Sequence, residues 1–256
     1  VILVLLAPVL TSYDYGEVSL KSKQMAPCAE HILGTDLYGR DVWTRILYGG
    51  RISLTVAICS TLIALVVGTL LGSICGFVGG AFDFIVSRIN DIFMAFPMLL
   101  VSLIIGIALG ASVTTMFFSI GVPCIPMFFR IARATTMSIS ERNYVTAAKS
   151  MGCRRIGIII RHIIPNVLPH ILVIFSSCMG GAILAESSLG FLGFGIPQPT
   201  PSWGLIVNEG KTFMFNYPWT TAFSGRAIAL TIFGFNLLGD GLRDHLDQKI
   251  RNSSKF

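Results

Sequence analysis

The stretch LTVAICSTLIALVVGTLLGSICGFV, residues 54–78, contains no charged side chain. As an α-helix it would measure about 37 Å, enough to cross a hydrocarbon core of about 30 Å. That run makes lipid the solvent. The composition agrees: the 256-residue chain is 53% hydrophobic and only 12% charged, where an ordinary soluble domain carries roughly 25% charged residues. Lipid leaves helices or closed barrels as the spanning structures, and uncharged runs of this length predict helices.

Between Asp91 and Arg130 lie 38 uncharged residues, which as one helix would reach about 57 Å. They are expected to form two spans, 92–109 and 113–130, folded back at Gly110-Ala111-Ser112, where the glycine supplies turn freedom. Residues 166–185 and 220–239 supply two more spans. The opening VILVLLAPVL covers only about 15 Å as a helix. It reads as the end of a first span. A signal peptide is the rival, but no basic region precedes the run, and Ala7-Pro8-Val9 is a poor cleavage site. The expectation is an all-α polytopic protein of six transmembrane helices, the first truncated at residues 1–10. Residues 11–53 form an external loop with an interfacial helix, 54–251 the membrane domain with a cytoplasmic loop at 138–165, and 252–256 a cytoplasmic tail.

The net charge of +6 matters less than its placement. Segments 79–91, 130–165 and 240–256 hold Arg88, Arg130, Arg133, Arg142, Lys149, Arg154, Arg155, Arg161, Arg243, Lys249, Arg251 and Lys255. The opposite side holds Lys21, Lys23, Arg40, Arg45, Arg51, Lys211 and Arg226. The excess predicts that the first set and both termini are cytoplasmic, with lipid rather than nucleic acid as the polyanion nearby. The six cysteines show no C-x-x-C spacing, so neither a disulfide scaffold nor a zinc site is supported, and small apolar filler is the simpler reading.

Residues 144–169, YVTAAKSMGCRRIGIIIRHIIPNVLP, cluster positive charge between apolar runs on that inner side. Ser140 suits an N-cap, Glu141 a first turn, and Gly152 a left-handed C-cap, so a short helix over about 141–151 is expected. Ala147-Ala148 would give it a face of little bulk, suited to a partner's groove. A second helical stretch should end at Pro165 and Pro169, whose rings remove backbone donors. On physics alone, a basic amphipathic loop lying on anionic headgroups is the competing reading.

The spacing Thr146-Ala147-Ala148, Gly152, His162, Ile164, Pro165 resembles the EAA-x3-G-x9-I-x-L-P loop of membrane subunits of ATP-binding-cassette importers. It departs from that pattern at Thr146, usually Glu, and at His162, usually Ile. HILGTDLYGRDVWTRILYGGRISL (31–54), DIFMAFP (91–97), GGAILAESSLGFLGFGIPQPTPSWG (180–204) and FNLLGDGLRDHLD (235–247) are similar to the dipeptide, oligopeptide and nickel branch. Within it the chain resembles the second, C-type, permease of the pair. The resemblance implies a type I importer permease fold, with a coupling helix at Tyr144, Thr146, Ala147, Ala148, Lys149 and Gly152 docking in an ATPase subunit. It also implies the partners: a homologous permease completing a heterodimer, two ATP-binding subunits carrying the ATP and Mg, and an external substrate-binding protein. No cofactor is expected in this chain, and no chemistry. Short peptides are the leading cargo, with nickel or a metal chelate as the alternative.

Gly180-Gly181 in the fifth span permits tight helix contact, and gating by sliding is the sharper reading. Glu186 and Arg226 are ionisable groups near outer span ends. They could pair, Arg226 could attract a peptide carboxylate, or each could snorkel to headgroups. GLIVNEGKT, 204–212, misses a phosphate-binding loop by one residue of spacing. An ion-coupled secondary transporter is opposed by spans nearly free of carboxylates. An intramembrane enzyme is opposed by scattered histidines, none of which begins H-E-x-x-H. A purely structural scaffold is the remaining rival.

Overall fold

The structure, a computed structural model, describes residues 1–253, with side chains described to residue 245. The side chains of Lys249 and Arg251, Lys255, and the 252–256 tail beyond Ser253 lie outside the described residues. Two short turns, α1 (Ile2–Leu5) and α2 (Ala7–Leu10), precede a long connecting segment, residues 11–41. Then come α3 (Val42–Val78), α4 (Gly80–Met94), α5 (Met98–Leu109), α6 (Val113–Ser140) and α7 (Asn143–Ser150). A 38-residue helix follows as α8 (Arg155–Leu192), then α9 (Trp203–Gly210) and α10 (Trp219–Ser253). Among the described residues, four helices, α3, α6, α8 and the Trp219–His245 part of α10, are long and apolar enough to cross a membrane, and the bent pair α4–α5 makes up to five.

The α3–α6 seam is the most extensive helix contact, and glycine makes it possible. Gly68, Gly72 and Gly76 repeat every fourth residue on one face of α3. A Cβ on Gly72 would stand 2.4 Å from the Phe129 carbonyl oxygen, and one on Gly76 would stand 2.6 Å from that of Arg133. Lipid offers helices no hydrophobic drive to associate, so backbones must come close enough for dispersion to hold them. On α6, Gly121 answers from the other side, where a Cβ would stand 2.8 Å from the Ser60 carbonyl oxygen. Phe128 and Ala132 of α6, both fully buried, fill the seam between these approaches.

Several expected boundaries differ. Residues 42–53 are the first turns of α3 rather than a separate interfacial helix. Asp41 caps them, accepting from the Thr44 amide at 2.8 Å, and Arg45 is 0% exposed. The chain between 92 and 109 is not one span. Pro97 lacks an amide hydrogen and disfavours helical geometry at Phe96, and α4 and α5 meet there at a bend of 91°. By contrast Pro165 and Pro169 do not end a helix. A π-helical turn, Ile159–Ile163, precedes Pro165, and the Asn166 side chain donates to the His162 carbonyl at 2.7 Å, so α8 continues to Leu192. The turn at 110–112 holds, with Gly110 at φ +81° and Ser112 accepting from Thr115 as the N-cap of α6.

At the end of the bundle where α3 begins, Arg40 and Arg45, expected on the side with fewer basic residues, form a buried network with two carboxylates. Asp36 accepts from Arg40 Nε at 2.7 Å and from Arg45 at 2.5 Å. Glu209 of α9 accepts from Arg40 at 2.8 Å and from Arg45 at 2.5 Å. This pins the segment before α3, and the first turn of α3, to α9. Beside it, Trp203 Nε1 donates to the Ile46 carbonyl at 2.9 Å, placing the fully buried indole against α3. At the opposite end of the bundle, Asp83 of α4 takes a bidentate pair from Arg133 of α6 at 2.5 and 2.6 Å.

Two variants test these joints in detergent by thermal unfolding. Arg45→Ala, which leaves Asp36 and Glu209 with Arg40 as their remaining bridge and removes two charge-assisted hydrogen bonds, should cost about 1–3 kcal/mol. Gly72→Val, which cannot keep the present backbone separation, should cost about 1–3 kcal/mol by overpacking.

Candidate functional site: a short exposed helix and its anchor

The α7 helix is held to its own chain along one edge. Val145 and Ala148, one turn apart and 0% and 3% exposed, sit in a cluster with Ile139 of α6 and Ile158, Ile163 and Val167 of α8. These residues come from both flanking membrane helices, so α7 moves with their ends. Its other faces are open. Tyr144, Thr146, Ala147 and Lys149 are exposed, and Met151 just beyond it is 76% exposed. Lys149 Nζ stands 5.0 Å over the Phe77 ring at the end of α3. The Tyr144 ring lies 6.3 Å from His162.

The helix ends as the glycine predicts. Gly152 has φ +77°, its amide donates to the Lys149 carbonyl at 3.0 Å, and the Cys153 amide reaches back to the Ala148 carbonyl at 3.2 Å. This is the paired closure of a Schellman motif. The start differs from expectation. Ser140 is the last residue of α6 rather than an N-cap, and Arg142, with extended backbone, begins α7 without a side-chain cap. The alanine pair is also divided: Ala147 faces outward while Ala148 packs inward. Successive helical residues point about 100° apart, so one periodic anchor, Val145, assigns Ala148 to the inner edge.

The remaining candidates lie far from α7. Gly180 faces α10, where a Cβ would stand 3.1 Å from Asn236 Oδ1 and 3.4 Å from Ile232, whereas Gly181 meets nothing within 4 Å. Glu186 is fully buried, accepting from Ser187 at 3.3 Å, with the Ser53 and Ser202 hydroxyls beside it. Arg226 is exposed, its guanidinium 5.7 Å over the Phe223 ring. Glu186 and Arg226 therefore do not pair. Glu186 instead sits where α9 begins: Ser202 accepts from the Leu205 amide, and Ser53 accepts from the Trp203 amide. The Gly204 to Thr212 run is mostly the helix α9, not a phosphate cradle. Sequence reasoning missed the Asp36–Arg40–Arg45–Glu209 network, because Glu209 is 164 positions from Arg45 and no local spacing announces it.

Comparison with known proteins gives one consistent result. Residues 68–252 match the family model described as binding-protein-dependent transport system inner membrane component. The chain is 41% identical over 252 residues to a dipeptide transport system permease of Alkalihalophilus pseudofirmus, covering 98% of this chain and 83% of that protein. It is 35% identical over 251 residues to an oligopeptide transport system permease of Bacillus subtilis, covering 98% and 82%. Among solved structures, an inward-facing form of the MetNI methionine ABC transporter aligns with a TM-score of 0.64 at 15% identity, over 78% of this chain and 95% of that one. That likeness speaks to fold: an all-helical importer permease.

Gly152→Val would place a β-branched residue at φ +77°, a strain of order 1–3 kcal/mol, and loosen the closure of α7. Hydrogen exchange of the amides of residues 149–153 should accelerate roughly 5- to 100-fold, while those of the α3–α6 seam stay as slow as in the wild type.

Proposed function

The chain belongs to the binding-protein-dependent transport system inner membrane component family, and we propose that it forms half of the translocation pathway of an ATP-driven importer of short peptides. The observation that carries this reading is α7, a short helix fixed to two membrane helices by Val145 and Ala148 and otherwise bare. A second permease would complete the pathway. Two ATPase subunits holding ATP and Mg would grip α7, and an external binding protein would deliver cargo. The peptide assignment draws on the dipeptide and oligopeptide permeases to which this chain is similar.

The mechanics follow from the anchor. A partner shifts a conformational equilibrium only by its differential affinity for the two states. An ATPase cleft that changes shape on binding nucleotide has that differential grip on α7. Because Val145 and Ala148 pack against Ile139, Ile158 and Ile163, displacement of α7 pushes the inner ends of α6 and α8 together. The glycine seam makes α3 and α6 one body, so the motion is passed on as rocking rather than absorbed. Tyr144, Thr146, Ala147 and Lys149 form the gripped surface, and Gly152 sets the exit angle. The loop is cytoplasmic, as are both termini, in keeping with the excess of Arg and Lys on that side. At the outer end, Glu186 and the ion network hold α9 as a rigid rim, and Gly180 lets α10 approach α8.

Reconstitution tests the reading. The transporter assembled in proteoliposomes should take up L-alanyl-L-phenylalanine only with ATP inside. Ala147→Trp, which adds bulk on the outward face of α7 and leaves the Val145 edge untouched, should lower uptake at least tenfold. Uptake driven by a proton or sodium gradient without ATP would overturn the assignment, as would full ATP-driven uptake by the Ala147 variant.

A further inference from the structure

Where α6 meets α8, three sulfur atoms come together. Cys124 and Met127 are three residues apart on α6 and so neighbours on its surface. From α8 the Cys178 thiol donates to the Met127 thioether, with Sγ 3.6 Å from Sδ. Cys124 lies within electrostatic reach of the same thiol. Both cysteines belong to one apolar cluster with Ala64, Phe128 and Ile171, and both are free thiols. Apolar filler accounts for their burial, but not for the convergence of three soft donors from two helices.

We propose that Cys124, Met127 and Cys178 form a binding site for a soft monovalent metal ion, Cu(I), bridging α6 and α8. Spacing is the first support. A thiolate–metal bond measures about 2.3 Å, so two sulfurs 3.6 Å apart both reach one ion at an angle of about 100° between the bonds, and the helices need not move. Donor type is the second. Thiolate and thioether sulfur favour Cu(I), whereas Ni(II) is suited by imidazole and Mg(II) or Mn(II) by carboxylate. Among the described residues no group of three or more His, Cys, Asp or Glu side chains is placed to hold a metal, so it is the methionine that completes this set. Charge is the third. Uncompensated charge in apolar surroundings is costly, and a monovalent ion avoids it. As Cu(I) enters, one thiol releases its proton to water and forms the thiolate–copper bond, and the second thiol and the thioether donate neutral lone pairs. The complex is uncharged and nothing is oxidised. A divalent ion would need both thiols deprotonated for the same result. Met127 is 41% exposed, which gives the ion a way in.

The test titrates Cu(I), anaerobically and in competition with bicinchoninate, into the assembled transporter in lipid nanodiscs. Cys28 and Cys153, the two exposed thiols, are first replaced by Ser. One ion per copy of this chain is expected, undisplaced by excess Zn(II). Cys124→Ser and Cys178→Ser should each weaken its binding at least tenfold, and Met127→Leu about threefold or more. A second measurement needs no variant within the site. One equivalent of Ag(I), a redox-stable substitute, should shield Cys178 from alkylation by N-ethylmaleimide, read by peptide mass spectrometry, while the comparably half-buried Cys59 goes on reacting. The proposal is overturned if the Cys124 and Cys178 variants bind Cu(I) like the unsubstituted site. It is equally overturned if Ag(I) leaves Cys178 as reactive as before, or shields Cys59 just as well.

Discussion

The close approach of α3 to α6 is the constraint from which the rest of the molecule hangs. In water a core gathers itself by excluding solvent, whereas in lipid the same side chains gain little by meeting each other. Contact must then come from fit, and the Gly68–Gly72–Gly76 face gives it by removing the side chains that would hold the backbones apart. Once α3 and α6 are one body, α8 has a surface to lie on, α7 has two fixed ends to bridge, and Trp203 has a wall to bury against.

Electrostatics finishes what packing begins, at both ends of that body. At one end, Arg40 and Arg45 share Asp36 and Glu209 in a nearly dry network. Breaking one partner there leaves uncompensated charge, which is why such groups fix geometry even when the intact pair adds little net stability. At the other, Asp83 and Arg133 tie α4 to α6 by a bidentate pair. The span centres, by contrast, are uncharged and are held by shape.

Much of this was legible in the residues. The uncharged run 54–78 marked its span, Gly110 and Ser112 marked the fold-back, and Gly152 marked the end of α7, because each depends on local sterics or hydropathy alone. The chain of motifs led to the right family. What stayed hidden depended on partners distant in sequence. Ala147 and Ala148 look equivalent until Ile139 and Ile163 decide which of them is inside. Arg40 and Arg45 read as surface cations until Glu209 arrives from α9. Pro97 and Pro165 carry the same ring, yet one bends the chain and the other does not, because only Pro165 follows a π-helical turn and has Asn166 to occupy a neighbouring carbonyl. The glycine face of α3 was present in plain letters, but it takes α6 to give the spacing meaning.

Only 11% of the most apolar window in the Trp219–His245 part of α10 is buried against its own chain. A helix so lightly held inherits its tilt and rotation from its surroundings. Its orientation is thus co-authored by whatever surrounds it, and a substitution on its bare face finds its compensating change outside this chain.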